Sequence, residues 1–229
     1  MLFRQPKLKV DAVMFDLDGT LINSPGIYIE ILEIAFNKLG IPTVSKASIR
    51  DAMKNGEFDW GCVLPKYMIP RKDELIIKVR EIIDDIYPQK LRQKVKLLPG
   101  VRKILNDIHQ CEIKIGLVTS TPASYMPEKL IPFKKAGVDD IFDLIITADD
   151  VQNKKPAADP LIDCAKRLDV AVTNSVYVGD ARVDIIAGKA AGMKTIGVLS
   201  GFDDYDALNR FEPDAILNSV AELNDVINF

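Results

Sequence analysis

Short apolar runs alternate with amphipathic helical patterns through the C-terminal two-thirds of the chain, and this alternation limits the fold more than any other feature. The runs predict strands at residues 113–118, 144–147, 175–178, 195–198 and 215–217. They are short and continuously apolar, as strands buried on both faces of a parallel sheet are. Helical patterns follow them, for example at 161–168 and 183–191. The alternation predicts βαβ units and therefore an α/β fold with a parallel sheet.

The N-terminal part of the chain predicts one strand of the same kind and then a long helical interval. The strand is residues 12–15, and the next one begins only at residue 113. A single crossover helix is much shorter than this gap. Apolar residues recur at helical spacing from Ile27 to Leu39, and a second helical pattern runs from about 73 to 95. We therefore predict a helical insertion over 22–96 and a core formed by 1–21 and 97–229.

Composition excludes several classes of function. The chain has 229 residues, with 30 basic and 33 acidic side chains and no basic run, so we expect no nucleic-acid partner. The longest stretch without a charged residue, 115–127, is too short to span a bilayer, so we expect no membrane partner. Three scattered cysteines indicate reduced thiols in a cytoplasmic protein. The single histidine, His109, excludes a metal site built from two or three histidines.

Two carboxylates follow the first predicted strand directly, at Asp16 and Asp18. Side chains alternate faces along a strand, so these two can project to the same side. Gly19 then allows a sharp turn and a close approach to a ligand. The alternative is a strand that ends in an ordinary polar turn. Open α/β sheets bind ligands at the carboxyl ends of their strands, which favours a site here.

Three later segments also place polar side chains at or beyond strand ends. They contribute Thr119 and Ser120, Lys155 on a loop, and Asp180 followed by Asp184. Taken singly, these residues are typical of helix caps and solvated surface pairs. Taken together with the two earlier carboxylates, they offer what phosphoryl transfer needs: a nucleophile, a second carboxyl, a hydroxyl, a lysine and a metal-binding aspartate.

On these motifs, the sequence resembles the haloacid dehalogenase-like superfamily of hydrolases, in the branch of phosphoglycolate phosphatases and β-phosphoglucomutases. The resemblance covers nearly the whole chain and is strongest at 16–20, 117–120, 155–156 and 178–184. It implies a Rossmann-like core with an α-helical cap inserted after the first strand. It also implies a phosphatase that uses Mg²⁺ to hydrolyse a small phosphorylated metabolite, either phosphoglycolate-like or a sugar phosphate.

The resemblance also implies roles for the carboxylates. Asp16 is the expected nucleophile, which forms an aspartyl-phosphate. Asp18 is expected to protonate the leaving oxygen and then to deprotonate water, and the nearby carboxylate is expected to favour its protonated form. Asp16, the backbone carbonyl of Asp18 and Asp180 are the expected Mg²⁺ ligands, with Asp184 supporting them from outside the ligand shell.

The same resemblance assigns the phosphate-binding groups. Thr119 and the Ser120 amide are expected to hydrogen-bond phosphoryl oxygens. Lys155 is expected to neutralise phosphoryl charge and to relieve its repulsion from Asp16. Lys155 is chosen over Lys154 because the family lysine directly precedes a proline, as Lys155 does here.

One other family reaction is disfavoured at this point, and two alternative functions remain open. The dehalogenases of the superfamily lack an acidic residue at the position of Asp18, so this chain favours phosphate esters over carbon–halogen bonds. A phosphomutase on the same fold is the alternative, although the Gly-x-Ser-Arg signature of sugar-phosphate mutases is missing. A phospho-acceptor module without turnover is a more remote alternative.

The cap is expected to determine the substrate. Its least regular part contains polar and aromatic residues that are candidates for contacting the substrate: Lys54, Asn55, Trp60, Tyr67 and Arg71. Lys54 or Arg71 is expected to meet a carboxylate or a second phosphate. The alternative is that Trp60 and Tyr67 pack the cap and that the cations face solvent.

Overall fold

The fold is built on a six-stranded parallel sheet. The computed structural model describes residues 7–42, 44–53 and 58–229. The strands are β1 Ala12–Phe15, β2 Lys114–Val118, β3 Leu144–Ile146, β4 Ser175–Gly179, β5 Lys194–Val198 and β6 Ala215–Leu217. Their order is β3-β2-β1-β4-β5-β6, and every adjacent pair is parallel. The predicted α/β parallel-sheet fold is confirmed, and each predicted strand agrees to within one residue at either end.

Helices connect and cover the strands. In chain order they are α1 Ser24–Lys38, α2 Lys46–Met53, α3 Lys72–Lys94, α4 Val101–Gln110, α5 Met126–Lys129, α6 Ile131–Ala136, α7 Asp159–Arg167, α8 Arg182–Ala191 and α9 Tyr205–Asn209. The sequence analysis predicted the helices at α1, α3, α7 and α8. It did not predict α2, because a helix of eight residues is too short to show a clear apolar repeat.

The central strands are buried on both faces. Val13 and Phe15 belong to the apolar cluster on the side of α4, whereas Ala12 and Met14 belong to the cluster formed with α7 and α8. All four side chains are fully buried. Burial of Val13, Met14 and Phe15 contributes about 1.5–3 kcal/mol each, which holds this strand firmly in the core. Within the described ranges, no helix has both the length and the apolar character needed to cross a membrane.

Helices α1, α2 and α3 all lie between β1 and β2 in the chain, and we call residues 22–96 the cap. The division of the chain into cap and core domains stays a prediction. Ile22 pairs both with Asp18 and with Leu97, so the chain leaves and re-enters the sheet region at adjacent points. This arrangement anchors the cap beside the carboxyl end of β1.

The cap also contacts the core at a distance from these two connections. Arg92 of α3 pairs with Glu128 of α5 at 2.8 Å. The hydroxyl of Tyr125, which follows β2, donates to the Asp84 carboxylate of α3. The rings of Tyr87 and Tyr125 meet edge to face with centroids 4.9 Å apart. The cap is therefore docked over the carboxyl ends of β1 and β2.

Candidate active site

A cavity of about 490 Å³ lies between the cap and the carboxyl ends of the strands. All seven residues predicted to form the site line it: Asp16, Asp18, Thr119, Ser120, Lys155, Asp180 and Asp184. Asp16 and Asp18 directly follow β1. The neighbouring strands β2 and β4 end at the same edge of the sheet, so the polar residues that follow them lie close to these two carboxylates. The structure therefore brings the set together, while the chemical role of each residue stays a prediction.

Three carboxylates and one lysine form the buried floor of the cavity. Oxygens of Asp16, Asp180 and Asp184 all lie within 4.8 Å of one another. Lys155 Nζ donates to Asp16 Oδ1 at 2.6 Å, to Asp184 Oδ1 at 2.7 Å and to the Tyr177 hydroxyl at 2.8 Å. All of these residues are buried. Lys155 thus has no donor left for a further protein partner, and it fixes the orientation of the Asp16 carboxylate.

The charge of this floor is unbalanced. Three carboxylates face a single ammonium, which leaves a buried cluster with two excess negative charges when all the groups are ionised. Burial raises the pKa of Asp16 to about 7, against the lowering effect of Lys155. Burial, together with Asp16 and Asp184, raises the pKa of Asp180 well above its ordinary value. A divalent cation bound between the carboxylates would balance the charge, and an all-oxygen ligand set suits a hard cation.

The Asp180 carboxylate is held by its surroundings rather than by a cation partner. Thr20 Oγ1 donates to Oδ1 at 2.9 Å, and the Phe202 amide donates to Oδ2 at 2.7 Å. A Cβ added at Gly19 would lie 2.4 Å from Asp180 Oδ2, and one at Gly201 would lie 1.8 Å away. Gly19 also has a φ of +87°, which disfavours other residues. Both glycines therefore allow the backbone to close around this carboxylate.

The two carboxylate oxygens of Asp184 accept hydrogen bonds from different donors. Its Oδ1 accepts from Lys155, and its Oδ2 accepts from the amide of Ala181 at 3.0 Å. Here the Asp184 carboxylate binds the free amide at the start of α8, so a hydroxyl is not needed to satisfy that donor.

Asp18 also lines the cavity, and its carboxylate forms an ion pair with Lys129. Lys129 Nζ donates to both carboxylate oxygens at 2.6 Å and to Thr121 Oγ1 at 2.8 Å. Thr121 Oγ1 donates to Asp18 at 2.6 Å, and the hydroxyl of Ser24 in α1 donates to Asp18 as well. Lys129 is 3% exposed, so this ion pair is screened little by water.

The expectation that a neighbouring carboxylate keeps Asp18 protonated is wrong. Burial alone would raise its pKa, but the Lys129 ammonium and the hydrogen bonds to the carboxylate bring the pKa below its ordinary value. Sequence analysis missed Lys129 because a lysine in a short helix looks like a solvated surface residue. It lies in α5, well beyond the end of β2, and no spacing rule connects it with Asp18.

The phosphate-binding candidates lie where β2 ends. The Thr119 amide continues the sheet ladder to Ile146 at 2.9 Å, so the Thr119 hydroxyl projects from the last position of the sheet. That hydroxyl accepts from the Thr121 amide at 3.1 Å and keeps its own proton for another acceptor. Among the described residues, the Ser120 amide has no hydrogen-bond acceptor. Both donors are therefore available to an anion in the cavity.

The cap faces the cavity with one side of α3. Arg80, Ile83, Asp84 and Tyr87 all line it, at the i, i+3, i+4 and i+7 spacing of a helix face. The amphipathic pattern predicted the helix, but it did not reveal which face meets the sheet.

Three of the cap residues that the sequence analysis named, Trp60, Tyr67 and Arg71, do not line the cavity. Trp60 is buried against Phe36 and Phe58, Tyr67 is 71% exposed, and Arg71 pairs with Glu74 at 2.9 Å. The substrate contacts considered for these three are therefore wrong: Trp60 packs within the cap, Arg71 forms a surface ion pair, and Tyr67 is exposed to solvent instead of packing the cap. Lys54 and Asn55 lie outside the described residues.

Comparison with known proteins decides the family. Residues 13–198 match the model of the haloacid dehalogenase-like hydrolases. The chain belongs to this family. The chain is 30% identical over 223 residues to a protein from Vibrio vulnificus (strain CMCP6) named phosphoglycolate phosphatase. The aligned region covers 96% of each of the two proteins.

Two further comparisons agree with this assignment. A phosphoglycolate phosphatase from Escherichia coli O157:H7 is 30% identical over 234 residues, covering 93% of this chain and 91% of that protein. The crystal structure of a predicted phosphoglycolate phosphatase from Haemophilus somnus 129PT superposes with a TM-score of 0.79 at 22% identity, covering 95% of this chain and 97% of that one. The latter likeness shows the haloacid dehalogenase-like fold alone.

Proposed function

We propose that the protein is a Mg²⁺-dependent phosphatase that hydrolyses small phosphate monoesters through an aspartyl-phosphate on Asp16. The observation that carries the proposal is the environment of Asp16. Its carboxylate lies in a cavity beside a buried lysine at 2.6 Å, two further carboxylates and two free donors at the end of β2. The names of the relatives point to the same class of substrate.

The first step is attack by Asp16 on phosphorus. Lys155 holds Oδ1, whereas Oδ2 makes no hydrogen bond to the described residues and is available as the nucleophile. The new bond joins Oδ2 to phosphorus as the bond to the leaving oxygen breaks. The Thr119 hydroxyl and the Ser120 amide bind the phosphoryl oxygens, which draws charge away from phosphorus.

Asp18 and Lys129 manage the proton on the leaving-group side. A proton held on Lys129 Nζ, 2.6 Å from Asp18, passes through the Asp18 carboxyl to the leaving oxygen. In the second step Asp18 accepts a proton from the water that attacks the aspartyl-phosphate. The pair therefore returns to its starting state after each turnover.

Asp16, Asp180 and the backbone carbonyl of Asp18 are the proposed Mg²⁺ ligands, with Asp184 beside them. The bound ion supplies positive charge that keeps Asp16 ionised and offsets the charge of the phosphoryl group. The two excess negative charges of the cavity floor support this assignment.

Binding of Mg²⁺ is expected to stabilise the fold. At a Mg²⁺ concentration of about 100 times Kd, mass action contributes about 2.7 kcal/mol, which corresponds to a rise in Tm of roughly 5–10 °C for a domain of this size. Differential scanning fluorimetry after treatment with EDTA measures the shift. In Asp180→Asn the buried charge is reduced, so the metal-free Tm is expected to hold or rise while the response to Mg²⁺ disappears. An equal response in both proteins would contradict the assignment of the ligands.

Turnover tests the function directly. We expect phosphate release from a panel of small phosphate esters, headed by 2-phosphoglycolate because of the named relatives, with Mg²⁺ and not with EDTA. Interconversion of sugar phosphates without phosphate release would favour a phosphomutase. A similar structure from Thermotoga maritima carries the name β-phosphoglucomutase, which is the reason for this test. A stable phosphoprotein that releases no phosphate would favour a phospho-acceptor module.

A further inference from the structure

Among the residues that the structure describes, three cationic side chains line the cavity: Arg80, Lys129 and Lys155. The three donors of Lys129 bind Asp18 and Thr121, and the three donors of Lys155 bind Asp16, Asp184 and Tyr177. Arg80 has no ion pair or hydrogen bond with the described residues. Within the described part of the cavity, Arg80 is therefore the cation that is available to an anionic group of a substrate other than the reacting phosphoryl group.

Arg80 is unpaired although a carboxylate lies one helical turn away. Asp84 follows it by four residues, a spacing that often gives an ion pair. Here Asp84 instead accepts from the Tyr125 hydroxyl of the core. The contact between cap and core thus directs one carboxylate oxygen of Asp84 towards Tyr125, and Asp84 forms no ion pair with Arg80.

The position of Arg80 along α3 indicates how far the anionic group lies from the phosphoryl group. Tyr87 marks the reacting end, because Lys129 Nζ, which binds Asp18, lies 5.7 Å from the centre of its ring. Arg80 precedes Tyr87 by seven residues, or about 10 Å along the helix axis. Its side chain also leans towards the helix N-terminus, away from the reacting end.

The wall between these two ends is largely apolar. Ile83 of α3 and the rings of Tyr28 and Phe58 line it beside Tyr87. The Tyr87 side chain is 96% buried, and its hydroxyl has no hydrogen-bond partner among the described residues. A volume of about 490 Å³ falls in the range of pockets that enclose ligands well above the size of a two-carbon acid.

We propose that the substrate is a phosphate monoester with an extended leaving group, apolar in its middle and anionic at its far end, and that Arg80 binds this anionic end. The proposal rests on the proposed phosphatase function and narrows its substrate class. A carboxylate or a second phosphate suits the planar guanidinium, which binds either with two parallel hydrogen bonds. A short acid such as 2-phosphoglycolate places its carboxylate near Tyr87, out of reach of Arg80.

Matched substrates test the proposal. In 6-(phosphonooxy)hexanoate the extended chain places the carboxylate carbon roughly 9 Å from phosphorus, and hexyl phosphate is its counterpart without the second charge. We expect the wild type to favour the carboxylate ester by tenfold or more in kcat/KM. Arg80→Gln is expected to remove that preference, a loss of roughly tenfold to a hundredfold, without changing the values for hexyl phosphate and 2-phosphoglycolate.

Arg71→Gln is the matched control, because Arg71 is an exposed cap arginine outside the cavity, and its variant is expected to keep the preference. Binding of the inert analogues 7-phosphonoheptanoate and heptylphosphonate, measured by calorimetry, gives a readout that needs no turnover. If Arg80→Gln weakens both analogues equally, weakens neither, or mainly impairs 2-phosphoglycolate, the proposal is overturned. If no ester is hydrolysed but the Arg80-dependent difference in binding persists, the phosphatase function fails and the role of Arg80 stands.

Discussion

Asp16→Asn is expected to abolish phosphate release, with kcat lower by at least about 10⁴-fold, because an amide cannot form the aspartyl-phosphate. The fold is expected to survive. Lys155 retains its bonds to Asp184 and Tyr177, and an uncharged side chain relieves the repulsion that helps to raise the pKa of Asp16. Steady-state phosphate release, measured with saturating Mg²⁺, gives the loss.

Two measurements separate this result from trivial causes. The Tm of metal-free Asp16→Asn is expected to equal or exceed that of the wild type, which excludes unfolding. Acid-quenched protein mixed with ³²P-labelled substrate is expected to carry label in the wild type and none in the variant. Comparable phosphate release by the variant and the wild type would remove Asp16 as the nucleophile.

Asp18→Asn is expected to have the second largest effect, and its size depends on the leaving group. With an alkyl phosphate, both steps lose their proton transfer, and kcat is expected to fall by about 10²–10⁴-fold. With 4-nitrophenyl phosphate, the leaving group departs without a proton, so only the second step suffers. Stopped-flow absorbance is then expected to show a burst of about one equivalent of nitrophenolate before slow turnover.

The Asp18 variant needs a structural control because it leaves the buried Lys129 without its carboxylate, which lowers stability. The double variant Asp18→Asn/Lys129→Met removes the unpaired charge, and we expect it to recover Tm without recovering activity. An equal loss of activity with both substrates and no burst would contradict the assignment of Asp18 as acid and base.

The fold and the floor of the site were predictable because they depend on local patterns. Parallel strands carry continuous apolar runs, and polar residues at their carboxyl ends must meet at one edge of the sheet. This reasoning reaches Asp16, Thr119 and Asp180, and the family resemblance selected Lys155. Each of these residues lies at a strand end or beside a family motif.

The remainder of the site depends on tertiary packing, which local patterns do not record. Lys129 reaches Asp18 across 111 positions of the chain, from a helix of four residues. Arg80 reaches the cavity because α3 presents one particular face to the sheet, and a helical period alone does not choose that face. For Trp60 the sequence left substrate binding and cap packing open, because an aromatic ring in an irregular segment suits either role, and the structure shows packing.

The double connection at Ile22 places Asp18, the proposed acid–base residue, next to the point about which the cap would turn. Asp18 and Ile22 pair through their backbones, and the first residue of α1, Ser24, donates to the Asp18 carboxylate. A movement of α1 away from the sheet would therefore lengthen or break the Ser24–Asp18 hydrogen bond, whereas the Lys129–Asp18 ion pair would be kept within the core. If Asp18 is the proton donor as proposed, a cap movement that admits substrate would also change the position of that donor, so a substitution at Ile22 or Ser24 is expected to alter both together.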